Sequence, residues 1–116
     1  MRSFIYSALS ALLVMAPVAA LSQAQQNFAL VNRSGAQVDE VYVSASSSNN
    51  WGRDILGEGV MPSGTRRNIT FPQRTSVCQF DLRVVFAGGQ KSEANNLNLC
   101  EVTTITVSPN GSFATE

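Results

Sequence analysis

Apolar and polar residues alternate along most of this chain, in short bursts separated by turn chemistry. Residues 28–32 are apolar up to Asn32, and Asn32-Arg33-Ser34-Gly35 then predicts a turn. Residues 38–45 alternate, with Val41 and Val43 on one face. A polar stretch rich in Ser, Asn and Gly follows over 46–59. Met61-Pro62-Ser63-Gly64 predicts another turn, and 65–71 a strand that points Ile69 and Phe71 the same way before Pro72 ends it. The strongest pattern lies at 80–86: Phe80, Leu82, Val84 and Phe86 face one side, Asp81 and Arg83 the other. Gly88-Gly89-Gln90 turns the chain back. A weaker strand runs through Leu97 and Leu99, and residues 102–107 are rich in β-branched side chains. The segment 108–112, Ser-Pro-Asn-Gly-Ser, predicts a loose C-terminus.

Six or seven short strands with turn signals about every 8–12 residues predict a small antiparallel β-sandwich, immunoglobulin-like in class. The expected core has Phe80, Leu82, Val84 and Phe86 as its spine, with Phe28, Val41, Val43, Ile69, Phe71 and Ile105 around them. Sustained helical periodicity is absent; a single turn near 51–56 is the only helical candidate.

The first 24 residues read differently. Arg2 provides a positive start, residues 4–18 are almost wholly apolar, and Ser22-Gln23-Ala24 offers small residues before a cut. This predicts a cleaved export signal at 1–24 and one domain at 25–116, with no membrane anchor after cleavage. The apolar run is shorter than the roughly 20 residues that span a bilayer. Export places Cys78 and Cys100, the only cysteines, in an oxidising compartment and predicts a disulfide between them. A loop of about twenty residues closed this way contributes on the order of 3 kcal/mol. With Gly88-Gly89-Gln90 as a hairpin loop, Ala87 opposes Lys91 and Cys78 opposes Cys100. That register sends Asn96 and Asn98 to the face of Phe80 and Leu82, a conflict that a β-bulge between Leu97 and Cys100 would resolve.

Charge narrows the partners. Losing Arg2 with the leader leaves seven of the eight basic residues against eight acidic ones. No basic stripe is available to neutralise a phosphate backbone, so nucleic acid is not an expected partner. Histidine is absent from the chain. Without it there is no Ser-His-Asp or Cys-His catalysis, no usual zinc site, and no imidazole general base. Lys91, the only lysine, sits beside an exposed turn, and no phosphate loop or nucleophile elbow occurs. Neither a cofactor nor a metal is expected.

Carboxylates are the remaining chemistry. Asp39, Glu40, Asp54, Glu58 and Asp81 raise a carboxylate hydrolase as a minor alternative. Asn49, Asn50, Asp54 and Glu58 raise a calcium loop, whose spacing they do not match. In the structural reading, Asp54 holds its own loop by accepting bonds from loop amides, with Gly52 and Gly57 allowing tight bends. Trp51, the only tryptophan, is either a platform for a glycan or protein partner or an anchor that plugs one end of the sandwich with Leu56. The anchor is the expectation here. Trp51, Arg53, Asp54 and Glu58 mark the candidate interaction loop. Asn32, Asn68 and Asn110 begin glycosylation patterns, which matter only for a eukaryotic source.

Several segments together carry a resemblance: Phe28-Ala29-Leu30-Val31-Asn32, Val41-Tyr42-Val43-Ser44, Trp51-Gly52 with Asp54, and Cys78 with Phe80-Asp81-Leu82-Arg83-Val84 and Leu99-Cys100. In this order they resemble a group of short exported proteobacterial proteins with a Trp-Gly-x-Asp loop and a Cys-x-Phe/Tyr-Asp-Leu-Arg-Val strand. The resemblance implies a Gram-negative envelope and hence a periplasmic or secreted location. It implies no activity, substrate or catalytic residue. The expectation is an exported, non-catalytic binding or structural module that meets an envelope protein or a glycan. The alternative is an inhibitor or accessory protein of an envelope enzyme.

Overall fold

The computed structural model describes residues 27–70 and 77–116. The expected leader at 1–24 and the expected core residue Phe71 lie outside the described residues. Seven strands form: β1 Phe28–Asn32, β2 Val38–Ala45, β3 Arg66–Ile69, β4 Gln79–Phe86, β5 Lys91–Asn98, β6 Thr104–Val107 and β7 Phe113–Thr115. They make a four-stranded sheet in the order β3-β1-β6-β7 and a three-stranded sheet in the order β2-β4-β5. β1 pairs β6 in parallel; the other pairs are antiparallel.

The alternation in β4 produces the sandwich. Phe80, Leu82, Val84 and Phe86 are buried and meet Leu30, Ile69, Ile105 and Val107 from the opposite sheet in one core. Phe28 and Val41 join them as expected, and Val43 packs against the margin. Leu30, Val38, Met61, Leu99 and Val107 complete the core beyond the expected set. β1 lies inside its sheet and is buried along nearly its whole length. At its end Asn32 is fully buried and fully used. Its amide donates to the carbonyls of Ala36 (2.8 Å) and Met61 (3.0 Å), and its Oδ1 accepts from the backbone N–H and the hydroxyl of Ser34.

Cys78 and Cys100 are bonded, with Cα atoms 5.3 Å apart. Such a structural bond belongs to an oxidising compartment rather than the cytoplasm. No helix among the described residues is long and apolar enough to cross a membrane.

The hairpin that carries the bond differs from the expected register. Val85 pairs with Lys91 and the Phe86 N–H donates to the Gln90 carbonyl, so the loop is Ala87-Gly88-Gly89. An unbroken ladder would then set Cys78 opposite Asn98. A bulge corrects part of this: Leu82 pairs with Ala94 but Phe80 pairs with Leu97, so Asp81 faces both Asn95 and Asn96. The turn at 99–101 carries Cys100 the rest of the way. The bulge sits before Leu97, not between Leu97 and Cys100. It keeps Leu97 beside Phe80, and Asn96 adopts a positive φ of 58° to make it.

Other bounds shift as well. The strand expected over 65–71 is β3, ending at Ile69, and the one expected over 102–107 begins at Thr104. The loose C-terminus is instead a strand. β7 pairs with β6 after a tight turn in which Ser108 N–H meets the Ser112 carbonyl at 2.9 Å, and Phe113 packs on the core. The region 51–56 holds no helical turn; isolated turns occupy 55–58.

Candidate functional site

β2 is an edge of the three-stranded sheet, so every second residue turns its N–H and C=O away from β4. The polar loop at 46–59 answers that need by running back along the edge. Val41 N–H donates to Asp54 Oδ1 at 2.8 Å, and the Val41 carbonyl accepts from Ile55 N–H at 2.7 Å. Farther along, Val38 exchanges two backbone bonds with Met61, at 2.9 and 2.8 Å. Met61, expected only as part of a turn, is thereby buried against the core.

Asp54 also accepts from the N–H of Leu56 at 3.0 Å, which shapes its own loop as expected. Gly52 and Gly57 flank this knot at φ 74° and 65°, a left-handed geometry that a side chain would strain. Two residues beyond Asp54, Leu56 turns inward and is only 6% exposed. The expectation that Trp51 and Leu56 together plug the sandwich therefore holds for Leu56 alone.

Trp51 lies elsewhere. It is half-buried, and the Arg83 guanidinium stands 4.6 Å from its ring centroid, a cation–π contact. Arg83 belongs to the outward face of β4, so the first half of the loop folds over the outside of the sheet. Across the sheet Arg83 binds Glu93 of β5, with Nε and Nη2 both 2.7 Å from Oε2. One step along the same face, Asp81 Oδ1 accepts from the Ser46 hydroxyl at 2.7 Å and from Asn96 N–H at 2.9 Å. Asp81 thus ties the start of the loop to the β5 bulge.

These contacts enclose a cleft of about 200 Å³. Ser44 of β2, Asp81 of β4, and Glu93 and Asn95 of β5 lie on the sheet side; Ser48, Asn49, Asn50 and Trp51 form the loop side. On its other flank Trp51 lines a second cavity of about 390 Å³, with Val43, Ala45 and Ile55 as its apolar part and Arg53 and Thr70 also lining it. A third cavity of about 440 Å³, lined by Phe86, Lys91 and the 109–111 turn among others, lies away from this loop. Near the cleft, in the row of Arg83 and Glu93, the Tyr42 hydroxyl donates to Glu40 Oε1 at 2.6 Å. That bond, lost hydration and the negative charges of Glu40 and Asp54 hold the phenol above its ordinary 10.0, against the opposing pull of Arg83.

The four residues of the candidate loop thus separate. Trp51 and Arg53 line cavities, Asp54 is committed to backbone amides, and Glu58 is exposed and lines none of these cavities. Asn49 and Asn50, grouped with Asp54 and Glu58 as a calcium set, line the cleft from which Asp54 is turned away. Among the described residues, no group of three or more His, Cys, Asp or Glu could hold a metal ion. Of the sheet side of the cleft, the sequence singles out Asp81 alone, as a hydrolase carboxylate, and leaves Ser44, Glu93 and Asn95 unmarked. The alternation at 80–86 places Asp81 and Arg83 outward, but nothing local says that the loop covers them. No family model, curated protein or solved structure matches this chain.

Proposed function

We propose that the protein is an exported, non-catalytic binding module of the cell envelope, periplasmic or secreted, and that it binds through the Trp51 cleft. The observation that carries this reading is the mounting of Trp51. Its loop is bonded to the sheet at Asp54 and Ile55, and its ring is held by Arg83, which Glu93 holds in turn. A half-exposed aromatic fixed beside a polar cleft is pre-organised, so little freedom is lost when a ligand docks. The leader pattern, the disulfide and the resemblance to exported proteobacterial proteins support the location.

The test immobilises wild-type protein and Trp51→Ala beside each other and passes envelope extract over both. Wild type should retain a component that the variant releases, while circular dichroism and melting show the variant folded. Equal retention by both, or by neither, contradicts the reading. The exposed tip at 47–50 on a pinned base also favours the inhibitor alternative. In that case the retained component is an enzyme whose activity the protein changes.

A further inference from the structure

We infer that the ligand of the Trp51 cleft is a neutral glycan, seated by a single pyranose ring; this inference rests on the binding reading above. The cleft's volume, about 200 Å³, suits one small ring rather than a polypeptide segment. Its chemistry suits hydroxyl groups. Asp81 spends Oδ1 on Ser46 and Asn96, and Glu93 spends Oε2 on Arg83. The second oxygen of each carboxylate accepts no hydrogen bond among the described residues, so each is oriented by the frame yet open to a donor.

The side-chain amides of Asn49 and Asn95 likewise make no hydrogen bond among the described residues and offer both donors and acceptors. A sugar hydroxyl donates and accepts at once, so it satisfies a carboxylate oxygen and an amide together. Trp51 lines the cleft with aromatic surface that the apolar C–H groups of a sugar ring can meet, one face of its ring carrying Arg83. Two carboxylates against one guanidinium disfavour a phosphate or other anion. A protein partner commonly needs about 800 Å² of contact on each side. The exposed large apolar residues among those described, Val60 and Val77, line neither cavity beside Trp51.

The experiment titrates the protein with cello-, malto- and N-acetylglucosamine tetrasaccharides and follows the fluorescence of Trp51, the only tryptophan. At least one series should give a saturable change. Asn49→Ala and Asn95→Ala, which break no hydrogen bond of the fold, should each weaken that binding about tenfold at unchanged melting temperature. The absence of a saturable change with all three sugars overturns the inference, as does undiminished affinity in both variants. An arginine-rich peptide that shifts Trp51 fluorescence where the sugars do not also overturns it. If the sugars fail while an envelope component is still retained through Trp51, the glycan is wrong and the binding reading stands.

Discussion

The two halves of the 46–59 loop differ in composition and in use: Ser, Asn and Trp51 make up the first, charged, apolar and glycine residues the second. From Asp54 onward the chain is part of the sheet's edge: a carboxylate and an amide complete the bonding of Val41, and Leu56 enters the core. Before Gly52 the chain is surface, draped over the outer face of β4 and β5, tied at its start by Ser46 to Asp81 and Gln79 and at its end by the cation–π contact of Trp51. The difference shows that a polar loop can secure an edge strand with a few residues and leave the others on the surface. It also shows why Asp54, despite being a carboxylate beside a tryptophan, belongs to the frame.

The largest effect should come from the inner half. Leu56→Ala should cost about 2–5 kcal/mol, because it empties a packed core position. A denaturant midpoint near wild type would mean that Leu56 is not a plug. Asp54→Ala should follow at about 2–3 kcal/mol, since it leaves the Val41 and Leu56 amides without their charged acceptor. Asp54→Asn, which keeps an acceptor oxygen, should recover much of that loss. Trp51→Ala should cost only about 1 kcal/mol, the scale of an exposed cation–π contact with partial burial. A loss as large as that of Leu56→Ala would erase the contrast between the two halves.

The smallest effect is a titration. Tyr42 is the only tyrosine beyond residue 24, so tyrosinate absorbance of a chain of residues 25–116 reports it alone. Its midpoint should lie above 10.0, and Glu40→Gln should bring it down. Because the folded value is raised, its stabilising contribution is fully present below pH 10.0 and fades as pH rises through the folded midpoint. Tyr42→Phe should therefore differ from wild type by a constant amount up to pH 10.0 and by less above it. A gap that widens above pH 10.0 would reverse the sign.

What could be read in the sequence follows what is local. The alternation from Phe80 to Phe86 names both the inner face and the outward Asp81 and Arg83. The cysteine pair and the Gly-flanked Asp54 were equally legible, since each depends on its own spacing or its own turn. The hairpin register was not, because the bulge at Asn95 and Asn96 depends on the Asp81 side chain across the strand pair. β7 was missed because Pro109-Asn110-Gly111 carries the composition of a loose end, while its order comes from pairing with β6 and from Phe113 on the core. Trp51 could not be placed because its partner, Arg83, lies far along the chain.

Native-state hydrogen exchange by NMR compares the two halves of the loop in one sample. The amides of Val41, Ile55 and Leu56 are bonded in the frame, whereas the N–H of Asn49, on the exposed tip, donates no hydrogen bond among the described residues. Slow exchange is expected for the first three, approaching the rate set by global unfolding, and rapid exchange at Asn49. Uniformly fast exchange at all four positions, or equal protection throughout, would contradict this contrast.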